Sequence, residues 1–119
     1  MAFLCVCRLC PSLTREDVRW LSQKWKKWLV IKGILSAEDA KTAQDSGADA
    51  VVISNHGGRQ LDFASSMIGL LPQIRKAVGP DFCVMIDGGF RRGSEILIAL
   101  GLGASGVLLG RAYAFGLSA

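Results

Sequence analysis

Four short apolar runs, separated by segments long enough for helices, constrain the fold of this chain more than any other feature. They span residues 28–31, 50–53, 82–86 and 106–109. Each run is apolar throughout rather than alternating, which is typical of strands that are covered on both faces, as in a parallel sheet. Strands that alternate with helices form βαβ units. The sequence therefore predicts an α/β fold of four βα units around a parallel sheet.

Helix signals lie before and between these runs. We expect helices to begin near the capping residues Thr14, Ser36, Ser65 or Ser66, and Ser94. Residues expected to face inward are Trp20, Leu21 and Trp25 in the first helix, Leu70, Leu71, Ile74 and Val78 in the third, and Ile96, Leu97 and Leu100 in the fourth. The first helix would then expose its lysines to water. A helix that lies on a membrane surface is the alternative for this first segment.

Length and composition exclude several classes of protein. At 119 residues, with half of them apolar and a net charge of +4, the chain forms one globular domain at most. The basic residues do not form the dense stripe with interleaved aromatics that indicates a nucleic-acid partner. No run of 18 or more apolar residues is present, which predicts no membrane span. The first residues also lack the pattern of a secretory or other targeting signal.

The cysteines indicate a reduced compartment and no metal site. Cys5, Cys7 and Cys10 have no second cysteine or histidine group that would complete a zinc site. Cys83 lies inside an apolar run and is expected to be a small core residue. We therefore expect no metal, and a cytoplasmic location, or a peroxisomal one if the source is eukaryotic.

Polar side chains with chemical potential follow the predicted strands at the point where each strand ends. In chain order they are Lys32, then Ser54, His56 and Arg59, then Asp87 and Arg91, and finally Arg111. Parallel strands place their carboxyl ends on one face of a sheet, where α/β barrels build active sites. The sequence therefore predicts one site assembled from four loops.

The run 54–60 is the most informative of these loops. It places the only histidine of the chain, His56, three residues before Arg59 on a glycine-rich segment. Histidine is the side chain best suited to move protons near neutral pH. Arginine presents a planar fork of donors that matches a carboxylate. The pair predicts an enzyme that binds a small acid by its carboxylate and removes a proton close to it.

Two glycine–arginine segments, 87–93 and 110–111, resemble phosphate-binding loops. Glycines let backbone N–H groups approach an anion, and arginines add charge-assisted donors. In α/β barrels a phosphate commonly lies at the loops after the last two strands, which are the last two units of this chain. A tight turn explains a lone Asp-Gly-Gly equally well.

In this order, the segments 30–33, 54–60, 87–93 and 110–111 resemble the FMN-dependent α-hydroxy-acid dehydrogenase/oxidase family. The resemblance covers 14–119, which it identifies as a partial FMN hydroxy-acid dehydrogenase domain, whereas 1–13 looks unlike the family. It implies the C-terminal half, about four βα units, of a TIM (β/α)8 barrel. We therefore expect an incomplete barrel that needs self-association or a complementary half-barrel.

The resemblance also assigns roles by position, with FMN as the cofactor. His56 matches the catalytic base, Arg59 the arginine that binds the substrate carboxylate, and Lys32 the cation near the flavin ring, where it stabilises negative charge. Ser54 matches a further flavin contact. The residues that match the grip on the ribityl phosphate are Asp87, Gly88, Gly89, Phe90, Arg91, Gly110 and Arg111.

The function implied is FMN-dependent oxidation of a small (S)-2-hydroxy acid to the 2-oxo acid, with little activity expected of the short chain alone. One alternative is a non-catalytic half-barrel that binds flavin or phosphate. Another is a different phosphate-binding TIM-barrel enzyme, which would share the glycine–arginine loops but not His56 and Arg59 in this run.

Overall fold

The computed structural model describes residues 12–60 and 62–119. The helices are α1 (Arg15–Lys24), α2 (Ala37–Asp45), α3 (Met67–Val78), α4 (Gly93–Gly101) and α5 (Arg111–Ser118). The strands are β1 (Val30–Ile34), β2 (Ala50–Ile53), β3 (Cys83–Ile86) and β4 (Gly106–Val107). A single 3₁₀ turn, His56–Gly58, follows β2. The predicted cysteine cluster near the start of the chain lies outside the described residues.

The four strands form one parallel sheet in the order β1-β2-β3-β4. Helix α2 connects β1 to β2, α3 connects β2 to β3, and α4 connects β3 to β4. The predicted α/β fold is thereby confirmed. Because every strand runs in the same direction, all four carboxyl ends lie on one edge of the sheet, as the sequence predicted.

Local sequence accounts for where the first helices begin. Thr14 and Asp17 form a capping box at α1, in which Asp17 Oδ2 accepts from the Thr14 amide at 2.7 Å. Ser36 Oγ accepts from the Asp39 amide at 3.0 Å at the start of α2. Helix α3 begins after Ser66 and ends at Gly79, whose φ of +82° is easily adopted only by glycine. The predicted starts at Thr14, Ser36 and Ser66 are confirmed, whereas α4 begins at Gly93 with Arg92 as its N-cap, just before the predicted Ser94.

The core lies between the sheet and helices α2 and α3. All of β2 is buried, and α3 buries Leu70, Leu71, Ile74 and Val78, as predicted from their helical spacing. Cys83, expected to be a core residue, is only half-buried and is a free thiol. This packing fixes β2 and β3 at the centre of the sheet, directly beneath the loops that carry the polar residues.

Arg75 on α3 was not singled out from the sequence, yet it ties together the edge of the sheet opposite those loops. Its guanidinium donates to the carbonyl oxygens of Gly79, Phe82 and Gly103 at 2.8, 2.6 and 2.9 Å. It also donates to Ser105 Oγ at 3.3 Å. These bonds join the end of α3 to the segments that enter β3 and β4.

The bounds of the two outer strands differ from the prediction. Strand β1 begins at Val30 rather than Trp28 and continues to Ile34, with a shift in register between Lys32 and Ile34. Lys32 is therefore inside β1, next to a bulge at Gly33, rather than at the strand's end. Strand β4 ends at Val107 instead of Leu109. The bulge arises because Ile34, rather than Gly33, pairs with Ile53 on β2. Local sequence does not specify this pairing between strands.

The predicted inward face of α1 was wrong, and that of α4 was right only at Ile96, which packs against the core. In α1 the side chains of Trp20 and Trp25 are 60% and 50% exposed, and the half-buried positions are Val18 and Ser22. Trp20 lies about 200° around the helix from Val18, on the side facing away from α2. In α4 Leu97 and Leu100 are exposed, whereas Ala99 is buried. Helical periodicity identifies an apolar side, but the neighbouring elements decide which side is covered.

No helix among the described residues is long and apolar enough to span a membrane.

Candidate functional site

A cleft of about 300 Å³ opens at the carboxyl ends of the strands. It is lined by Lys32, His56, Gly57, Arg59, Asp87, Gly88, Gly89, Phe90, Arg91, Leu108, Leu109, Gly110, Arg111 and Ala112. Ten of the eleven site residues singled out from the sequence therefore line one cleft. Ser54 is the exception, because it is fully buried beneath the loop that carries His56.

Lys32, Ser54 and Asp87 form a polar network at the base of this cleft. Lys32 Nζ lies 2.9 Å from Asp87 Oδ2 and donates a 2.8 Å hydrogen bond to Ser54 Oγ. Ser54 Oγ also accepts from the backbone N–H of His56 at 3.1 Å. The second carboxylate oxygen of Asp87, Oδ1, is buried and has no hydrogen-bond partner among the described residues. Because a buried acceptor without a donor is costly, this oxygen is available to a bound hydroxyl or N–H group.

The loop after β2 has an unusual backbone. His56 adopts φ +56°, in the left-handed region that side chains other than glycine rarely occupy, and Gly57 and Gly58 continue with φ +71° and +74°. Asn55 Oδ1 accepts from the N–H groups of Gly57 and Gly58 at 3.1 and 3.2 Å. The turn therefore presents the imidazole of His56 at the cleft through a conformation that the Asn55 side chain holds in place.

Two arginines are tied to this loop by their own hydrogen bonds. Arg59 Nε donates to the carbonyl oxygen of His56 at 3.2 Å, and Arg111 Nη2 donates to that of Gly57 at 3.3 Å. Each guanidinium retains other N–H donors that face the cleft or solvent. Together with Lys32 and Arg91 they line a cleft whose only carboxylate among the described lining residues is that of Asp87, so the cleft suits an anionic ligand.

The loop after β3 presents free backbone donors. Gly88 and Gly89 adopt φ +96° and +87°. The N–H groups of Gly88, Gly89 and Phe90 donate no hydrogen bond within the described part of the chain. Phe90 is itself buried against the core and anchors the loop. Consecutive unpaired amides of this kind form an anion-binding concavity.

Two helix ends near the cleft differ in what their first amides bind. At α4, Glu95 Oε2 accepts from the amides of Arg91 and Arg92 at 2.7 and 3.1 Å, and these bonds hold the pKa of Glu95 below its ordinary value of 4.5. At α5 the N-cap residue is Gly110, which has no side chain to cap the helix. The N-terminus of α5, beside Gly110 and Arg111, is therefore the helix end with free amides for an anionic ligand in the cleft.

Sequence reasoning did not identify Gly33, Asn55 or Gly57 as site residues. A Cβ placed on Gly33 would lie 2.9 Å from Cε1 of His56, and one on Gly57 would lie 3.2 Å from Arg111 Nη2. An asparagine close to a pair of glycines, here separated from it by His56, is a familiar turn signal and could have indicated the role of Asn55. The approach of Gly33 to His56 depends on the bulge in β1 and has no signal in the sequence.

Within residues 12–60 and 62–119, no group of three or more histidine, cysteine, aspartate or glutamate side chains is arranged to hold a metal ion.

Comparison with known proteins relates these features to one family. The model of a family described as FMN-dependent dehydrogenase matches residues 5–119. An L-lactate dehydrogenase of Caulobacter vibrioides is 54% identical over 109 residues, which are 92% of this chain and 28% of that protein. A pre-mycofactocin synthase of Mycolicibacterium smegmatis is 46% identical over 109 residues, covering 92% of this chain and 27% of that protein.

Solved structures agree with these sequence matches. The monotopic membrane protein (S)-mandelate dehydrogenase superposes with a TM-score of 0.85 and 52% identity, over 90% of this chain and 28% of that one. A mandelate oxidase with (S)-2-phenylpropionate superposes with a TM-score of 0.84 and 45% identity, over 89% of this chain and 32% of that one. The chain thus spans less than a third of the length of these relatives.

Proposed function

This chain belongs to the FMN-dependent dehydrogenase family, and from that membership we propose that it carries the proton-transfer and cofactor-binding part of an enzyme that oxidises a small (S)-2-hydroxy acid to the 2-oxo acid. Its four βα units are part of a TIM barrel, and FMN is the cofactor of the family. The observation that carries the proposal is the convergence of His56, Arg59 and Lys32 on one cleft. Lactate and mandelate, after which relatives are named, are both 2-hydroxy acids.

The residues of the cleft fit FMN in charge and in hydrogen-bonding capacity. Asp87 Oδ1 is a buried acceptor without a donor, which a ribityl hydroxyl would supply. The free amides of 88–90, the uncapped start of α5 and the guanidinium groups of Arg91 and Arg111 are donors suited to a phosphate. We assign Asp87, Gly88, Gly89, Phe90, Arg91, Gly110 and Arg111 to this grip. Ser54, which the resemblance gives as a further flavin contact, is buried, so we assign it to the flavin through Lys32, whose ammonium group donates to its hydroxyl.

His56 and Arg59 act on the substrate in this proposal. Arg59 binds the substrate carboxylate through a planar pair of N–H donors. His56 takes a proton from the substrate as it is oxidised, because the imidazole is the only histidine of the chain and faces the same cleft. FMN, when bound, accepts the two electrons that the substrate loses. Arg59 Nε donates to the His56 carbonyl oxygen at 3.2 Å, which connects the proposed carboxylate site to the backbone that carries the base.

Lys32 supplies a fixed positive charge. Its ammonium group is held by Asp87 Oδ2 and Ser54 Oγ at 2.9 and 2.8 Å, which orients it before any ligand arrives. A cation that needs no reorganisation stabilises developing negative charge more effectively than mobile water does. We assign Lys32 to the negative charge that reduction places on the flavin.

Association with a second polypeptide accompanies this function. Strands β1 and β4 each pair on one side only within the described sheet, and α4 and α5 expose Leu97, Tyr113, Phe115 and Leu117. Exposed apolar surface of this extent is typical of an interaction face. We propose that the chain works by self-association or with a complementary half-barrel, and that it turns over little substrate alone.

A graft into a full-length relative tests the catalytic part of the proposal. Residues 14–119 would replace the matching segment of the L-lactate dehydrogenase that is 54% identical, and anaerobic bleaching of bound flavin by lactate, mandelate or glycolate would be recorded. We expect the graft to be reduced by at least one of these acids. A His56→Asn variant of the graft should retain flavin and lose about 10²–10⁴-fold in rate.

The other outcomes distinguish the alternatives. A graft that binds flavin but is bleached by none of the acids would contradict the oxidoreductase and favour a non-catalytic flavin-binding half-barrel. A graft that binds inorganic phosphate but no flavin would favour a different phosphate-binding barrel. Robust turnover by the unassisted, monomeric chain would contradict the need for a partner.

A further inference from the structure

The backbone of His56 is in a conformation that needs support from outside the residue. Its φ of +56° is disfavoured for any side chain with a Cβ, and such outliers persist only where their surroundings impose them. Neighbouring groups therefore determine where the imidazole points. Two residues without a role in the proposed function support this turn: Asn55 accepts hydrogen bonds from it, and Gly33 lies against the imidazole.

Asn55 closes the turn with its side chain. Its Oδ1 accepts from the amides of both Gly57 and Gly58, at 3.1 and 3.2 Å, and the Gly58 amide also donates to the Asn55 carbonyl oxygen at 3.0 Å. The Asn55 side chain thus bridges from one side of His56 to the other and fixes the backbone on both sides of it. An alanine at this position would leave the Gly57 amide without its acceptor.

Gly33 leaves room for the imidazole itself. It sits at the bulge of β1 with φ +102°, and a Cβ there would lie 2.9 Å from His56 Cε1, closer than packed carbon atoms approach. The ring therefore packs directly against the Gly33 backbone. Any larger residue at this position would push the imidazole outward.

We propose that Asn55 and Gly33 are positioning residues for His56: Asn55 fixes the backbone that carries the imidazole, and Gly33 forms the wall against which the ring packs. The inference rests on the proposed function, in which His56 moves the proton. A base displaced by about an ångström can lose about a hundredfold in rate, so the support is needed for chemistry as well as for folding.

The single histidine of the chain makes the proposal directly measurable. With ring-labelled histidine, an NMR spectrum of the full chain contains one Cε1–H imidazole signal, and no flavin or substrate is needed. In Asn55→Ala we expect this signal to shift by more than its linewidth and to broaden, because the turn becomes mobile. In Gly33→Ala we expect a comparable shift, because the ring is displaced.

Matched variants separate positioning from general loss of stability. Gly79→Ala imposes a similar backbone strain, with φ +82°, at a site where a Cβ meets nothing within 4 Å. Ser36→Ala removes a cap of the same kind from α2. Neither should move the imidazole signal. An imidazole signal that is unchanged in Asn55→Ala and Gly33→Ala, or moved equally by the two controls, would overturn the proposal.

Measurements on the unaltered chain decide the question if a variant fails to fold. The amides of Gly57 and Gly58 should exchange with solvent more slowly than the amide of Gly89, which has no acceptor. A nuclear Overhauser effect should connect the Cε1 hydrogen of His56 to the α-hydrogens of Gly33. Equal exchange rates, or absence of that effect, would contradict the proposal. The His56→Asn graft reports on the function separately, so either idea can fail alone.

Discussion

Lys32 and Asp87 form an ion pair across the top of the sheet, with Lys32 Nζ 2.9 Å from Asp87 Oδ2, although strand β2 separates the strands that carry them. The pair passes over Ser54, whose hydroxyl accepts from the same ammonium group. Three consecutive strands are thereby linked at their carboxyl ends. The link orients the Lys32 charge before a ligand binds, which is the condition for effective electrostatic stabilisation.

Replacing Lys32 with methionine should impair chemistry more than folding. In the graft described above, we expect Lys32→Met to slow flavin reduction by about 10²–10³-fold, because a preorganised charge is lost. Lys32→Arg should recover part of the rate. The rate is measured by stopped-flow bleaching under anaerobic conditions.

Lys41 provides the matched control for this change. It forms an ion pair of similar length with Asp45, 2.8 Å, on the exposed surface of α2. Lys41→Met should leave the rate of flavin reduction unchanged, since exposed pairs contribute little. If Lys32→Met reduced flavin as fast as Lys41→Met does, the electrostatic role would be wrong.

Replacing either of two buried serines with alanine should change the free energy of unfolding, but in opposite directions. Ser54 Oγ accepts from Lys32 Nζ and from the His56 amide. Ser54→Ala leaves the His56 amide without its acceptor and leaves Asp87 as the remaining partner of Lys32 Nζ, so it should lower the free energy of unfolding by about 1–3 kcal/mol. Ser46 Oγ is buried with no partner among the described residues, so Ser46→Ala should be neutral or stabilising by about 1 kcal/mol. Urea unfolding followed by circular dichroism measures both. Equal effects would contradict the roles assigned to the two hydroxyls.

The sequence was most informative where burial is uniform. Strand β2 and the inner face of α3 were predicted correctly because each has one apolar pattern, bounded by glycine or serine, that only one arrangement satisfies. The location of the site followed from the same strands, since their carboxyl ends must share an edge. Trp20 and Leu97 were placed on the wrong side because their exposure depends on neighbours that periodicity does not encode.

Contacts between loops were beyond prediction for a different reason. The bulge at Gly33 depends on how β1 pairs with β2, and the approach of Gly33 to His56 depends in turn on that bulge. Residue types at strand ends predict which side chains meet in a cleft. They do not predict which backbone atoms hold those side chains, because the answer depends on turn geometry to within an ångström.

Arg75 should be important for stability and unimportant for the site. Arg75→Met removes donors from the carbonyl oxygens of Gly79, Phe82 and Gly103, and we expect a loss of about 2–4 kcal/mol in the free energy of unfolding. Arg75→Lys keeps the charge but loses the planar fork, so it should recover only part of that loss. Urea unfolding measures stability, and flavin titration checks that affinity is unchanged. Full recovery by lysine would contradict the importance of the fork.

Acid should loosen the loop that carries Arg91. Hydrogen bonds from the amides of Arg91 and Arg92 lower the pKa of Glu95 below 4.5, so its stabilising contribution is fully present above pH 4.5 and is lost as the pH falls through the lowered value. Glu95→Gln should therefore be less stable than the unaltered chain above pH 4.5, and the difference should shrink in more acidic solution.

Denaturant unfolding at a series of pH values tests this dependence on Glu95. Asp17, whose pKa is also lowered by its bonds to Thr14, contributes a similar acid dependence from α1 and must be left intact in both chains. It then cancels in the comparison. A difference between Glu95→Gln and the unaltered chain that stays constant below pH 4.5 would contradict the assignment.

The exposed apolar faces of α4 and α5 should drive association. Leu97 and Phe115 are 71% and 65% exposed, and stable interfaces bury about 1,200–2,000 Å² of surface with an apolar centre. We expect analytical ultracentrifugation to give a mass above the 12.7 kDa of one chain, rising with concentration. The double change Leu97→Gln with Phe115→Gln should lower that mass, whereas Lys76→Gln on the exposed side of α3 should not. A constant mass of one chain at all concentrations would rule out self-association and leave a complementary half-barrel as the remaining partner.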